Sequence, residues 1–203
     1  MNIKILVGGL LLASLVTGFL VFESAPNPIA TPATVEVTQV VAVEADGELK
    51  DLGTREVGED WAVFLGPTAD SKSKETGIIT DWGDDGLRVV WERELGSSYG
   101  IGTVSKGRYF QFDRIGDNAF VVCLNAETGS QLWKFQYESA YQDLYGYDPG
   151  PRCSPLVDGN RVFVYGTEGM LYCLNATTGR EEWSVDTIQK FGVIQNFFGV
   201  GSN

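Results

Sequence analysis

The sequence predicts an all-β chain, a β-propeller of four-stranded antiparallel blades. Residues 123–135, CLNAETGSQLWKF, recur fifty positions later as residues 173–185, CLNATTGREEWSV. A period of this size marks a repeat architecture, and strand-and-turn chemistry inside it marks a propeller. Within each repeat, short apolar runs alternate with turns bearing Gly, Asn or Asp, the pattern of an antiparallel meander. The middle runs are apolar on both faces, which a sheet lying between two others requires.

The last whole repeat is the clearest. CSPLV (153–157) is a strand, Asp158-Gly159-Asn160 a turn, RVFVYG (161–166) a strand and Thr167-Glu168-Gly169 a turn. MLYCLN (170–175) is the third strand, and EEWSVD (181–186) the last, after the connector ATTGR. The preceding repeat matches with IGTVS (101–105), RYFQFD (108–113), AFVVCLN (119–125) and SQLWKFQ (130–136). Its central hairpin, residues 114–118, is two residues longer than the equivalent turn. RVVWERE (88–94) is expected to be an outer strand, with Trp91 in the place of Trp133 and Trp183, and FFGVGSN (197–203) opens another repeat. Residues 59–203 therefore read as a partial propeller with two whole blades. Closure takes roughly 4–8 blades, so the chain reads as a fragment of a longer parent.

Residues 5–22, ILVGGLLLASLVTGFLVF, form an uncharged apolar run after Lys4. It is longer than the usual apolar core of a cleaved signal and just reaches a membrane-spanning length. Residues 1–22 are thus a signal anchor or a cleaved signal peptide, and the remainder is exported, periplasmic or otherwise extracytoplasmic. Residues 23–58, with Pro26, Pro28 and Pro32, read as a flexible linker holding one stray strand at 35–43.

Lys plus Arg number 15 against 27 for Asp plus Glu, a net charge of −12, which argues against nucleic acid as a partner and against the membrane except through residues 5–22. The chain has no histidine, which excludes Ser-His-Asp and Cys-His nucleophile activation. Cys123, Cys153 and Cys173 are neither adjacent nor spaced as CxxC, and read as small buried hydrophobes. Asp81–Gly86 with Glu92 approaches calcium-loop spacing, but Gly83 offers no side-chain ligand and Glu92 falls on an expected strand. A solvated Asp-Gly turn is the better reading, so no metal site, cofactor or catalytic group is expected.

The segments Ala126-Glu127-Thr128-Gly129…Trp133 and Ala176-Thr177-Thr178-Gly179…Trp183 resemble the A-x-T-G-x-x-x-W docking motif of pyrroloquinoline-quinone (PQQ)-like repeat propellers. The resemblance implies that Trp91, Trp133 and Trp183 each stack on backbone near the Ala and Gly of an adjoining blade. DWAVFLGP (60–67), KETGI (74–78) and GPRCSPLVDG (150–159) further resemble exported propellers similar to outer-membrane protein assembly factor B (BamB-like). That likeness implies an eight-bladed, non-enzymatic parent that binds a protein partner in the cell envelope. Assembly factor B is a lipoprotein whose signal ends in an acylated Cys, whereas the first Cys here is Cys123. The quinoprotein dehydrogenases of the same class are the enzymatic alternative. They resemble one another in a vicinal disulfide, which this chain lacks.

The connector 136–152, QYESAYQDLYGYDPGPR, carries the candidate binding residues Tyr137, Tyr141, Tyr145, Tyr147 and Arg152. Tyrosines offer rigid contact area with a hydroxyl, and an arginine can bridge a partner's carboxylate or carbonyl. The equivalent connector 187–199 adds Phe191, Phe197 and Phe198 to the same expected surface. The alternative is that the tyrosines only cover blade edges and that the phenylalanines pack against the next blade.

Overall fold

The computed structural model describes residues 34–37, 47–55, 57–84 and 86–201. The expected N-terminal apolar helix and most of the expected linker lie outside them. No helix among the described residues is long and apolar enough to cross a membrane.

Two antiparallel sheets make the fold. In chain order the strands are β1 (Thr34–Val37), β2 (Thr103–Ser105), β3 (Arg108–Ile115), β4 (Asn118–Asn125), β5 (Gln131–Glu138), β6 (Leu156–Asp158), β7 (Arg161–Tyr165), β8 (Met170–Asn175) and β9 (Glu181–Asp186). The second sheet has the order β6-β7-β8-β9, a four-stranded meander. The first repeats that meander as β2-β3-β4-β5 and adds β1 beyond β5. Four strands were expected there; the fifth arises because the open backbone of β5 pairs with the β-branched run Thr34–Val37.

The turns explain most differences from the sequence reading. The first blade's central hairpin is not the longer one: β3 runs to Ile115, β4 starts at Asn118, and only Gly116-Asp117 lie between. Gly116 takes φ +59, the left-handed conformation that a two-residue hairpin needs. Residues 88–94 form no strand, because no neighbouring strand is there to pair with them among the described residues, and Val89 and Val90 are exposed. Nor do residues 197–201 form a strand; their backbone bonds instead to the β7–β8 turn, Val200 N–H donating to the Thr167 carbonyl at 2.9 Å. The connector after β9 contains a short helix, α1 (Thr187–Phe191), whose N-cap Asp186 accepts from the Gln189 N–H and whose C-cap is Gly192 at φ 67. Its five residues are too few to show a helical period. Residues 47–55, expected as linker, lie on the first sheet: Leu49 is buried, and Arg108 donates to the Lys50 carbonyl at 2.7 Å.

Strand alternation puts Phe110, Phe112, Val121, Cys123, Trp133, Phe135 and Tyr137 on one face of the first sheet, and all are buried. Val162, Val164, Tyr172 and Leu174 of the second sheet meet them in the same core, so the two blades pack face to face. Tyr137 and Tyr172 stack with ring centroids 4.6 Å apart, and Phe135 meets Tyr172 edge-on at 5.2 Å. This overturns Tyr137 as a surface residue: it follows Trp133 and Phe135 on the inward face of β5 and is 2% exposed.

The same junction holds buried polar groups. The Tyr137 hydroxyl and Glu168 Oε1 both lie against Gly166, where a methyl group would collide with each. Both are buried and without a hydrogen-bond partner among the described residues. Glu168 Oε2 accepts from the Ser139 hydroxyl at 2.8 Å. Burial raises the Glu168 carboxyl above its ordinary range despite that bond, and raises the Tyr137 phenol as well.

Two expectations follow from this packing. Trp133, fully buried, should cost about 3–5 kcal/mol when replaced by alanine, whereas Trp183→Ala should cost about 1 kcal/mol or less, because Trp183 is 42% exposed. Urea unfolding of both variants measures the difference, and equal losses would contradict the asymmetry. For Glu168, the folded chain keeps its proton to higher pH than the unfolded chain does. The associated stability is complete below the ordinary glutamate range and is lost as pH rises through the folded value. Glu168→Gln keeps an acceptor for Ser139 and should remove that loss. Its urea midpoint should match the parent's at about pH 4 and exceed it at about pH 8; parallel midpoints would oppose the assignment.

Candidate functional site

The two docking turns are built alike, from the repeated Asn-Ala-x-Thr-Gly. Asn125 Oδ1 accepts from the N–H groups of Glu127 and Thr128, both at 3.0 Å, and Asn175 Oδ1 from those of Thr177 and Thr178, both at 3.1 Å. Each turn closes on a left-handed glycine, Gly129 at φ 70 and Gly179 at φ 71. Onto the second turn lies Trp133 of the preceding blade: its Nε1 donates to the Ala176 carbonyl at 3.0 Å, and a Cβ on Gly179 would come within 2.5 Å of the ring. Trp91 does the same to the first turn, donating to the Ala126 carbonyl at 2.9 Å with its ring over Gly129. It does so from a segment without strand structure. Trp183 instead leans on Phe163 of its own sheet, with centroids 5.9 Å apart. The asparagines that shape both turns carried no assigned role in the sequence reading, although their recurrence beside the Ala was the available signal.

At the other end of the blades the connectors converge. Arg114, at the end of β3, has its side chain 2% exposed and acts as a strut. Its Nη1 donates to the carbonyls of Tyr141 (2.6 Å) and Pro149 (3.3 Å), and its Nε to that of Gly116 (2.8 Å). The sequence reading placed this residue in a turn and gave it no part. Segment 97–101 runs beside 150–154, with the Tyr99 N–H donating to the Pro151 carbonyl at 2.9 Å. Gly100 and Gly150 permit that approach, since a Cβ on either would lie within 2.3 Å of a facing carbonyl oxygen.

Asp143 and Arg152 lock the three connectors together. Asp143 Oδ1 accepts from the N–H groups of Tyr145 (2.9 Å) and Tyr147 (3.3 Å), shaping the loop tip. Its Oδ2 pairs with Arg152 Nη2 at 3.0 Å, the carboxylate side chain being 2% exposed. Burial works against the Asp143 charge, but the Tyr147 and Tyr145 N–H groups and the Arg152 guanidinium outweigh it and hold the carboxyl below its usual range. Arg152 Nε donates to the Phe198 carbonyl at 2.8 Å, and its guanidinium lies 4.5 Å from the centre of the Tyr99 ring.

This geometry corrects two expected binding residues. Arg152 is held by Asp143, Phe198 and Tyr99, and its Nη1 is buried without a hydrogen-bond partner among the described residues. Tyr141 is 7% exposed, with its hydroxyl donating to the Phe197 carbonyl at 3.1 Å. What the lock presents to solvent is a ring cluster. Tyr145 lies 6.0 Å from both Tyr147 and Phe197 and 6.4 Å from Phe198. Tyr145, Tyr147, Phe197 and Phe198 are 58, 71, 60 and 54% exposed. Phe191 is exposed too, but it takes no part in these ring pairs.

Cys123, Cys153 and Cys173 are separate and buried, burial pushing the Cys173 thiol up to about 11 and Cys123 higher still. No group of three His, Cys, Asp or Glu is placed to hold a metal ion among the described residues. In the Asp81–Glu92 segment, Asp81 Oδ1 accepts from the Gly83 N–H at 3.4 Å, and Asp85 lies outside the described residues.

No curated protein matches the chain. Among solved structures it is similar to BamB from Moraxella catarrhalis, with 20% identity and a TM-score of 0.31 over 46% of this chain and 24% of that one. It is also similar to the quinohemoprotein alcohol dehydrogenase ADHIIG from Pseudomonas putida HK5, at 24% identity and TM-score 0.35 over 48% of this chain and 14% of the other. A europium-containing methanol dehydrogenase is similar at 16% identity and TM-score 0.32, over 64% and 32%. The chain thus spans a third or less of the length of each of these structures. The family model described as outer membrane protein assembly factor BamB matches residues 75–197, more than half of the chain, across β2 to β9 and the connector between the two blades. By that match the chain belongs to this family of PQQ-like repeat propellers.

Proposed function

We propose that this chain is part of a non-enzymatic scaffold of the cell envelope that captures a protein partner on its connector face. The observation that carries this reading is the exposed cluster of Tyr145, Tyr147, Phe197 and Phe198, held in place by the Asp143–Arg152 pair. Rings fixed from behind supply apolar area with little entropy left to lose on binding, as protein-binding hot spots require. The envelope location rests on family membership and on the apolar run at residues 5–22. Tyr137, Tyr141 and Arg152 support the surface from below; Tyr145 and Tyr147 form it.

Replacing Tyr145, Tyr147 and Phe198 together by alanine should leave the β-sheet circular dichroism intact and reduce capture of an envelope partner at least about tenfold, the loss of about 1.4 kcal/mol or more. Cross-linking in intact envelopes, with identification of the captured protein, measures it. Tyr141→Ala serves as the contrast, since it should lower the melting temperature. Undiminished capture by the triple variant would overturn the placement of the surface. Quinone-dependent dye reduction by the full-length parent would overturn the non-enzymatic reading.

A further inference from the structure

We propose that the outer edge of β9 is a strand-acceptor site, and that its occupant is the Thr34–Val37 segment of a second copy of this chain. The equivalent edge of the first blade already holds such a strand. β1 runs antiparallel along β5 with Thr34 opposite Gln136, Val35 opposite Phe135, Glu36 opposite Lys134 and Val37 opposite Trp133. β9 is the repeat of β5 in detail. Trp133 pairs with Cys123 on β4 and Trp183 with Cys173 on β8, and each ladder carries a register shift at the same place, Cys123/Leu124 and Cys173/Leu174. The same shift imposes the same local twist, so both outer edges offer backbone groups in the same geometry.

The two edges differ in occupancy. Among the described residues no strand pairs with the outer edge of β9. Trp183, Ser184 and Asp186 are exposed along it. An exposed edge of this kind is a template for adding a strand, through its main-chain N–H and carbonyl groups.

The register carried over from β5 covers the last four of the six residues of β9. It sets Val37 opposite Trp183, Glu36 opposite Ser184, Val35 opposite Val185 and Thr34 opposite Asp186, all within the strand Glu181–Asp186. Ser184 takes the place of Lys134 opposite Glu36, with Glu182 and Asp186 diagonal to it. Among the described residues each copy has two equivalent edges and one such strand, so a second copy's Thr34–Val37 seats on β9 only by leaving its own β5. The exchange converts an intramolecular ladder into an intermolecular one. It is therefore weak in dilute solution and grows with local concentration.

The test mixes two full-length variants, Glu36→Cys and Ser184→Cys, and treats them with a short bis-thiol cross-linker. The native cysteines are buried, and each variant alone supplies the background. A heterodimer joined at positions 36 and 184 is expected, in about tenfold excess over the product from Glu36→Cys mixed with Asp158→Cys, which is exposed on β6 at the opposite edge of the sheet. A synthetic peptide of residues 31–41 should suppress the cross-link and shift the β9 amide resonances of the parent chain. The same peptide with Val35→Pro should do neither. Equal cross-linking at positions 158 and 184, or no shift of β9 amides with the 31–41 peptide, would overturn the proposal.

Discussion

The indole of Trp133 joins the two blades at one point, and most of the rest of the structure follows from it. Its ring can reach the next blade only because Gly179 has no Cβ, and its N–H is satisfied only because the Ala176 carbonyl faces it. Both conditions depend on the turn that Asn175 shapes. A bulky aromatic on an outer strand thus measures the distance between sheets and sets their angle. Phe110 and Phe135 then pack against Trp133 and Tyr172 in the space left between the sheets. Trp91 repeats the contact on the first blade, so a segment with no regular structure is still held in place by one side chain.

This arrangement separates two ends of the molecule. At one end lie the Asn-Ala-x-Thr-Gly turns, whose polar groups bond to their own loop, to other segments of the same blade and to the adjacent tryptophan. At the other end lie the connectors, where Arg114, Asp143 and Arg152 satisfy backbone groups from three different segments. Buried charges are costly unless paired and bonded; Arg114 and Asp143 are both, and Arg152 is paired with Asp143 while its Nη1 has no partner among the described residues. The result is a rigid base under rings that remain exposed. A scaffold that binds through aromatic anchors needs that combination, because flexible rings would lose entropy on binding.

The half-buried Glu168 stands apart from that scheme. It sits in the junction between blades beside Tyr137, and its Oε1 has no partner among the described residues. Hydrophobic packing around it raises the cost of its charge, so the same aromatic core that joins the blades also makes their junction sensitive to proton concentration.

Sequence periodicity by itself determined the blades. The fifty-residue repeat located eight of the nine strands to within a few residues, because each blade's alternation and turn glycines are local properties. Family membership was legible too, since the A-x-T-G-x-x-x-W spacing encodes a contact that any two neighbouring blades repeat. Residue fates in the connector were not legible. Tyr137, Tyr141, Tyr145 and Tyr147 look alike in a string, yet two are buried and two exposed. The difference arises from where β5 ends and from which carbonyls Arg114 and Arg152 reach, relations between residues up to 46 positions apart. Likewise, nothing local marks residues 88–94 as lacking a strand partner, or β5 as the edge that β1 covers. Pairing is decided by which backbone groups are left open once the sheets have packed, and that is a property only of the tertiary structure.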